Sequence, residues 1–561
     1  MRRPSARSRS TPRAAPPRTA WRAASISTSP PTSPRSRSAG RRAALGVTRR
    51  FTTGFWTQAV AVTRSLPDGP TARPVGWRPW CASAFADARA AGAPVLLSLG
   101  PSWCRATAAM ASDTYADPVV AGRIADRFIP IRVDADARPD IADRYGLSGW
   151  PTTAFLSPEG DLLGGETYIP PERMRGLLPQ VAAAFAAQRG AIAGRRAPAP
   201  DAPVAAAAPD QTIDGWVASH LLDQFDALHG GFGAAPKRVH AAAIEYAARR
   251  AASGDERFAE VVDCTLRAIG WGGLYDQANG GVFRYCARSD WTQPATEKLL
   301  SVNAAVLRLL LERDGDDYRD RAAHLARYVH RTLLGRPQGR AVFFASQRAD
   351  PDYYAGETVS PPPVDRAIYA DCTALMVRAW VRAAAVLGDE TLLADAVDAL
   401  EHVVAGTYER GGGIAHRAGE GEEGTAVVRG LLGDQVATSA ALLDLFAVTD
   451  RDVYLDMAQE LMHFCLHHLW DDTAGGFRDR VHADGDIGLL RVVAYPFALN
   501  CDAARVLLRL ARLTGQPQFR DRAVSALAGQ AAAARSHGPA AAAYALALQD
   551  LAAARDTDPA G

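Results

Sequence analysis

A short apolar run that ends in a turn and a single cysteine is the feature that most constrains the fold of this chain. Residues 94–99 are apolar enough for a buried strand, and the turn after them brings Cys104 to a predicted helix start. Further along, Trp150, Pro151 and Thr152 open a second apolar strand, which ends in a turn at 157–160. Free amide groups and the helix dipole at a helix start favour a thiolate over a thiol. A proline segment beside the sulfur offers a backbone edge on which an extended substrate can dock.

This arrangement is how the thioredoxin fold builds its site. It predicts a reactive thiol at Cys104, with Trp103, Trp150 and Pro151 as its neighbours. The usual motif is C-x-x-C, but Thr107 stands at the fourth position here. Two-thiol exchange needs a second thiolate that attacks the mixed disulfide, and a threonine hydroxyl cannot replace it. The fold signal is therefore strong, whereas the signal for a dithiol oxidoreductase is broken.

The wider pattern predicts an α/β domain followed by an all-α domain. From residue 77 to about 188, amphipathic helices alternate with short apolar strands, which is typical of one small α/β domain. After a Pro/Ala-rich linker at 190–211, apolar residues recur at helical spacing up to residue 555. Glycine-rich turns divide this part into about twelve helices, which predicts an (α/α)6 toroid, with an irregular helical solenoid as the alternative. We therefore predict a thioredoxin-like domain over 67–189 and the toroid over 212–555.

The first 66 residues are rich in Arg, Ser, Pro and Ala and contain no acidic residue. Such a composition buries too little apolar surface to fold, so we expect a disordered basic arm. An organellar transit peptide and a start codon assigned too early are the alternatives. Without the 14 arginines of this arm, the 61 acidic residues outnumber the remaining 49 basic ones. This balance argues against a partner of the nucleic-acid class.

The seven cysteines are dispersed, with neither a C-x-x-C pair nor a spacing that suits zinc. This usage indicates a reducing compartment, so we expect a cytoplasmic protein without a metal or another cofactor. Apolar runs fall short of the roughly 18 to 20 residues that a membrane span needs, so no membrane association is expected.

A second candidate site lies between two helices of the toroid, in residues 272–298. Carboxylates, cations and aromatic rings concentrate there, a mixture that suits a polyhydroxylated or peptide-like ligand. The alternative is a structural network of ion pairs that fixes the loop. The candidate residues for the mouth of the toroid are His240, Tyr275, Asp276, Arg284, Tyr285, Trp291, Glu297, Lys298 and Asp371.

Both halves of the chain, in this order, resemble the thioredoxin-domain proteins related to spermatogenesis-associated protein 20. The matching stretches include LLSLGPSWC, FIPIRVDADARPDI and GWPTTAFLSPEG in the first half. In the second half they include GGFGAAPK, GGLYDQANGG and FRYCARSDW. The resemblance covers residues 77–510. It implies a thioredoxin-like domain followed by a six-hairpin domain similar to glycosidase and N-acylglucosamine epimerase barrels.

The chain departs from this family at positions that carry chemistry. The family site usually reads C-H-W-C-H, whereas here Thr107 replaces the second cysteine and Arg105 and Ala108 replace the histidines. In the toroid, Phe283 and Ala295 replace the histidines of the family's F-H-R-Y and H-F-E-K stretches. Epimerase-like barrels use histidines as acid and base because imidazole titrates near neutral pH. These losses therefore argue against epimerase chemistry.

Three functions stay open at this point. In a monothiol redox role, Cys104 attacks a disulfide or glutathionylated protein and an external thiol, such as glutathione, resolves the adduct; the alternative is an inert buried cysteine. A noncatalytic binding or scaffold protein is the second function. The third is a carbohydrate-active isomerase or hydrolase, with a carbohydrate-like ligand in the barrel. It would use Glu297 and either Asp276 or Asp371 as paired carboxylates.

Overall fold

The computed structural model describes residues 74–192, 208–419 and 427–556. Its first part is a four-stranded mixed sheet with the strand order β2-β1-β3-β4. The strands are β1 (Val95–Leu99), β2 (Ile129–Val133), β3 (Thr152–Leu156) and β4 (Leu162–Glu166). The helices are α1 (Ala82–Ala91), α2 (Arg105–Ala109), α3 (Pro118–Arg127), α4 (Pro139–Tyr145) and α5 (Pro171–Ile192). Strand β1 is parallel to β2 and antiparallel to β3, and β3 is antiparallel to β4.

Strand β1 is a central strand because both of its faces carry apolar side chains. Successive side chains of a strand point to opposite faces. Val95, Leu97 and Leu99 pack with α1 and α4, while Leu96 packs with α3 and α5 on the other face. All five residues of β1 are buried, as expected for a strand covered on both faces. The buried strand predicted at residues 94–99 is confirmed as β1, and the alternation of helices with short strands predicted from residue 77 onward is also found.

The second part consists of helix pairs that close into a ring. The inner helices are α7 (Ala241–Ala252), α9 (Leu300–Leu311), α12 (Ala370–Leu387), α14 (Leu432–Thr449), α16 (Phe497–Thr514) and α18 (Ala542–Asp556). Each inner helix contacts the next one, and α18 contacts α7, which closes the ring. Their outer partners are α6 (Thr212–Gln224), α8 (Glu256–Trp271), α10 (Asp316–Tyr328), α13 (Glu390–Thr407), α15 (Asp452–His468) and α17 (Pro517–Gln530). In the described residues, six pairs thus form the closed ring that the turn pattern predicts, and the open solenoid is excluded.

The loops of the ring contain a short helix, α11 (Pro351–Tyr354), and several two-residue strands. These strands are Tyr285–Cys286, Pro294–Ala295, Lys298–Leu299, Leu334–Gly335, Val342–Phe343, Ser346–Gln347, Val364–Asp365, Ile368–Tyr369, Tyr408–Glu409, Gly413–Ile414, Arg417–Ala418, Trp470–Asp471 and Gly476–Phe477.

Three glycine turns between the helices share one construction. Asp226, Asp276 and Asp471 each accept hydrogen bonds from the backbone amides two and three residues later. In each turn the glycine four residues after the aspartate has a positive φ and donates to the aspartate's backbone carbonyl. Glycine adopts this conformation without strain, which explains why the sequence repeats an acidic residue before a glycine pair.

The sheet part packs directly on the loops of the ring, and both belong to one compact unit. Arg144 forms an ion pair with Asp479 at 2.7 Å and donates to the carbonyl of Val492 at 2.8 Å. The Tyr145 hydroxyl accepts a hydrogen bond from the amide of Leu489 at 2.7 Å. Leu490 packs into the apolar core beneath β1. The two parts therefore share a core as well as a polar interface.

The predicted domain boundaries lie partly outside the described residues. Residues 1–66, predicted to be a basic arm, and most of the predicted linker lie outside the described residues. Helix α5 continues to Ile192, past the predicted linker start at residue 190. Among the helices of the described ranges, none is both long enough and apolar enough to cross a membrane.

Candidate functional site

Cys104 lies where the sequence predicts it, immediately before α2 and beside the segment that opens β3. Its backbone has the extended conformation of a capping residue, with φ −78° and ψ 119°. Its Sγ atom lies 3.9 Å from the carbonyl oxygen of Trp150, and the Trp150–Pro151 peptide is cis. The residue is only 7% exposed. The thiol is therefore largely withdrawn from solvent.

The turn that carries Cys104 is bound to the helical ring on several sides. The amide of Ala349 donates to the carbonyl of Trp103 at 3.3 Å, and the Ser102 hydroxyl donates to Asp365. The Arg284 guanidinium lies 4.7 Å from the centre of the Trp103 ring, within cation–π distance. The Trp103 indole N–H donates to the carboxylate of Asp136 at 2.6 Å. A protein disulfide would have to displace contacts of this turn in order to reach the thiol.

Thr107 occupies the position of the second cysteine in a C-x-x-C motif. Its hydroxyl is buried and has no hydrogen-bond partner. A side chain at Gly100 would meet this hydroxyl at 2.5 Å, so the loop approaches Thr107 closely. All seven cysteines lie in the described residues, and all are free thiols.

Two of the predicted mouth residues form an ion pair within their own loop. The Lys298 ammonium lies 2.7 Å from the Asp276 carboxylate and donates to the carbonyl of Gly280 at 2.7 Å. Burial of the charged form lowers the pKa of Lys298 to about 8, although Asp276 opposes this effect. Lys237 and Asp226 form the same pair at 2.9 Å in the preceding glycine turn. This repetition indicates that Asp276 and Lys298 stabilise the turn.

Arg284 and Glu297 form the contact between this loop and the Cys104 turn. Glu297 is 4% exposed and pairs with Arg284 at 2.5 Å. The guanidinium of Arg284 also lies 4.7 Å from the ring centre of Tyr285. Arg284 therefore has a neutralising carboxylate and two aromatic neighbours, Tyr285 and Trp103. Its position links the loop to the sheet part of the protein.

The other residues predicted for the mouth of the toroid in this region are buried or contact neighbouring protein groups. Trp291 is buried and donates its indole N–H to the carbonyl of His229 at 2.9 Å. The Tyr275 hydroxyl lies 3.3 Å from Nδ1 of His324, and burial raises the pKa of Tyr275 to about 12. His240 caps α7, and burial lowers its pKa. The ion-pair network that the sequence analysis kept as an alternative describes residues 272–298 well.

Asp371 lies beside two residues that the sequence analysis did not single out, His416 and Asp434. Nδ1 of His416 lies 2.9 Å from Oδ1 of Asp434, and Nε2 lies 2.7 Å from the backbone oxygen of Asp136. Burial alone lowers the pKa of His416, but the Asp434 carboxylate raises it to about 10. The three residues are far apart in the chain, so no local spacing could have revealed this cluster.

Carboxylates also collect where the Cys104 turn meets the ring. Burial and the neighbouring charge of Asp134 raise the pKa of Asp136 to about 7, although the hydrogen bond from Trp103 opposes the shift. The charges of Asp365 and Asp371 act in the same direction as Asp134. The junction of the two parts is therefore strongly electronegative.

The inner helices enclose a cavity of about 850 Å³. Its lining includes the ion pairs of Arg249 with Asp550 at 2.6 Å and of Arg505 with Glu245 at 2.7 Å. Arg378 and Arg509 also line it, and both pair with Asp444, at 2.8 and 2.7 Å. Arg308 and Asp502 line the same cavity, but neither side chain forms a hydrogen bond or an ion pair with another described residue. The positive charge of Arg378, together with burial, lowers the pKa of Arg308 to about 10. Burial raises the pKa of Asp502.

Comparison with known proteins assigns the sheet part to a family. Residues 69–198 match the Thioredox_DsbH family, "Protein of unknown function, DUF255". Spermatogenesis-associated protein 20 of Homo sapiens is 26% identical over 318 residues, which cover 49% of this chain and 39% of that protein. Residues 69–198 are thus similar to the Thioredox_DsbH family, and about half of the chain is similar to spermatogenesis-associated protein 20. This confirms the resemblance seen in the sequence motifs.

Other known proteins are also similar to parts of the chain. Uncharacterized protein B0495.5 of Caenorhabditis elegans is 28% identical over 308 residues, covering 49% of this chain and 42% of that protein. The matches with the first two relatives thus span about two fifths of their length. Thiol:disulfide interchange protein DsbD 1 of Pseudomonas aeruginosa is 33% identical over 109 residues, which is 18% of each chain.

Two solved structures overlap with larger parts of the chain. A sugar epimerase from a ruminal bacterium is 13% identical with a TM-score of 0.45, covering 56% of this chain and 85% of that one. A GH76 α-mannanase of Bacteroides thetaiotaomicron is 9% identical with a TM-score of 0.45, covering 62% and 96%.

Proposed function

We propose that this protein binds a small hydroxylated organic anion, of the sugar-acid or sugar-phosphate class, in the central cavity of its helical ring. The N-terminal part is then a thioredoxin-like domain that covers one end of the ring. This proposal develops the noncatalytic binding function and the carbohydrate-like ligand that the sequence analysis left open. The observation that carries it is a cavity of about 850 Å³ whose lining includes Arg308 and Asp502, two side chains that pair with no other described residue.

The charges of the cavity favour an anion at Arg308. The carboxylates whose charges act on Arg308 are Glu245 and Asp444, and both already form ion pairs with other arginines. A guanidinium without such a partner forms bidentate hydrogen bonds with a carboxylate or a phosphate. Burial raises the pKa of Asp502, and a carboxyl group in its protonated form can donate a hydrogen bond to a ligand hydroxyl. Cavities of this size accommodate small molecules.

The thioredoxin-like domain suits the role of a cover. Its contacts reach residues that precede several inner helices: Arg284 before α9, Ala349 and Asp365 before α12, His416 before α14, and Asp479 before α16. The inner helices run in one direction, so these loops belong to one end of the ring. The cover is held by buried hydrogen bonds and an ion pair rather than by a flexible hinge.

Isothermal titration calorimetry tests the proposal with glucuronate, glucose 6-phosphate and glucose as probes. We expect saturable binding of at least one of the two anions, weaker binding of glucose, and a loss of about tenfold or more in the Arg308→Leu variant. The matched control is Arg319→Leu, because Arg319 is exposed on the outer helix α10. Binding that Arg308→Leu leaves unchanged, or no binding of either anion, would refute the proposal.

A monothiol redox role for Cys104 is the second candidate. Its support is the position of Cys104 before α2 and beside the cis Trp150–Pro151 peptide. The contacts that cover the turn imply that the thiol reacts slowly with a large disulfide and faster with a small one such as glutathione disulfide. Alkylation by iodoacetamide, measured across pH with Cys104→Ser as the control, tests this role. Labelling of Cys104 no faster than that of the buried Cys465 would count against it.

The carbohydrate-active isomerase or hydrolase receives less support from the geometry. Asp276 and Glu297, two of its three proposed carboxylates, are engaged in buried ion pairs with Lys298 and Arg284. Paired catalytic carboxylates need one member that can hold a proton and both members facing the substrate. Asp371 lines the cavity, but its close neighbours are His416 and Asp434.

A further inference from the structure

The cluster of Asp371, His416 and Asp434 has no role in the proposed anion site. Asp371 is the second residue of α12, Asp434 lies in the first turn of α14, and His416 lies in the loop before α14. One nitrogen or oxygen atom from each residue lies within 4.8 Å of the atoms from the other two. His416 and Asp434 are 4% and 1% exposed. The three residues thus converge at the end of the ring that the thioredoxin-like domain covers.

An oxygen atom in this cluster lacks the partner that a buried carboxylate needs. Among the described residues, Oδ2 of Asp434 is buried and has no hydrogen-bond partner, whereas Oδ1 faces His416; the backbone amide of Asp371 also acts on this carboxylate. Buried carboxylates are normally compensated by hydrogen bonds, by cations or by a metal ion. The unpartnered oxygen is independent of the spacing between the three residues, and it points to a missing cation.

The orientation of His416 suits a metal ligand. Its Nε2 lies 2.7 Å from the backbone oxygen of Asp136, so Nε2 carries the proton and donates this hydrogen bond. Nδ1 is then the nitrogen that faces the two carboxylates. A histidine that binds a metal through one nitrogen usually donates the other N–H to a carbonyl or a carboxylate, which fixes the ring. Nδ1 of His416 and Oδ1 of Asp434 are 2.9 Å apart. This is close to the distance between two adjacent ligand atoms of a metal ion whose bonds are about 2.1 Å long.

The charges near the cluster favour a dication. Asp371 and Asp434 contribute two carboxylates, and Asp136 lies close enough to interact with Asp371. We propose that Asp371, His416 and Asp434 bind a divalent first-row transition-metal cation, such as Mn²⁺, Co²⁺ or Zn²⁺. Two oxygens and one imidazole nitrogen are ligands that these cations accept.

This site goes beyond the proposed function, because it needs no ligand in the cavity. Asp371 also lines that cavity, so the cluster lies beside its wall. The sequence analysis expected no metal because it searched for short ligand spacings. Here the ligands come from three separate segments.

Metal titration of the tag-free full-length protein tests the proposal, with Mn²⁺, Co²⁺ and Zn²⁺ as probes and no organic ligand present. The variants are Asp434→Asn and Asp371→Asn, and Asp371→Asn covers the case in which the more buried Asp434→Asn does not fold. The control is His229→Gln, because His229 belongs to another His–Asp pair, with Asp226 at 3.3 Å. Circular dichroism and thermal unfolding establish that each variant is folded.

We expect one equivalent of at least one cation per chain, and affinity lower by about tenfold or more in the folded aspartate variants. The control should bind as the wild type does. For Co²⁺, visible absorption bands would report nitrogen and oxygen ligation and should disappear in the same variants. No stoichiometric binding of any of the three cations, or equal binding by the wild type and the Asp371→Asn variant, would overturn the proposal and leave the cluster as a metal-free ion pair. Because the assay contains no organic anion, its failure is distinct from a failure of the anion proposal.

Discussion

The carboxyl group of Asp136 allows a quantitative test of the junction between the two parts. Its pKa is raised to about 7 in the folded protein, whereas an aspartate in an unfolded chain titrates near ~3.9. Between these two values the folded state holds a proton that the unfolded state has released. Stability therefore falls as the pH rises from about 4 to about 7, and the loss is complete above pH 7. Three pKa units correspond to about 4 kcal/mol.

The Asp136→Asn variant removes this titration while its side-chain oxygen can still accept the hydrogen bond from Trp103. We expect the unfolding free energy of the variant, relative to the wild type, to increase by about 3 kcal/mol between pH 4.5 and pH 8. Urea denaturation followed by tryptophan fluorescence measures this difference, and the comparison cancels the titration of groups that do not interact with Asp136. Asp126→Asn is the control, because Asp126 is exposed on α3.

The reasoning would be refuted by a difference between the variant and the wild type that changes by less than about 1 kcal/mol over this pH range. That result would mean that water reaches the Asp136 carboxylate, or that the contacts between the Cys104 turn and the ring open in solution. An equal change with pH in the unfolding free energy of Asp126→Asn, relative to the wild type, would also contradict the reasoning. The expected slope, in contrast, would show that the junction is closed and electronegative.

Three further changes test other contacts. Arg144→Ala leaves the largely buried carboxylate of Asp479 without its guanidinium, so we expect the unfolding free energy measured by urea denaturation to fall by about 3 kcal/mol or more. A fall of less than about 1 kcal/mol would mean that the ion pair is solvated. Lys298→Met leaves Asp276 buried in its turn, so the unfolding free energy should fall by about 3 to 5 kcal/mol; an unchanged value would contradict the structural role of the pair. Thr107→Val replaces a buried hydroxyl that has no hydrogen-bond partner among the described residues. In thermal unfolding, the unfolding free energy of the variant should equal that of the wild type or exceed it by up to about 1 kcal/mol. Clear destabilisation would show that the hydroxyl is hydrogen-bonded.

Local patterns in the sequence were sufficient for the elements of this fold. The apolar run at 95–99, the capping position of Cys104 and the repeated glycine turns depend on interactions between neighbours in the chain, which obey short periodicities. The same is true of the number of helices in the ring. Such features could be derived because backbone conformation and amphipathic spacing are local properties.

The sites depended on contacts that no local pattern contains. Asp276, Lys298 and Glu297 were expected at an open mouth, but the structure buries them in ion pairs within their own loop. His416 and Asp434 meet Asp371 only because the ring places the starts of α12 and α14 side by side.

The burial of Cys104 likewise follows from contacts of the turn with Arg284 and Ala349, more than a hundred residues away. The sequence by itself determined the elements and the order of the two parts, because these follow from neighbouring residues. Only the tertiary structure decided which charges are paired, which remain open and which thiol is covered, since burial and pairing arise between segments that are distant in the chain.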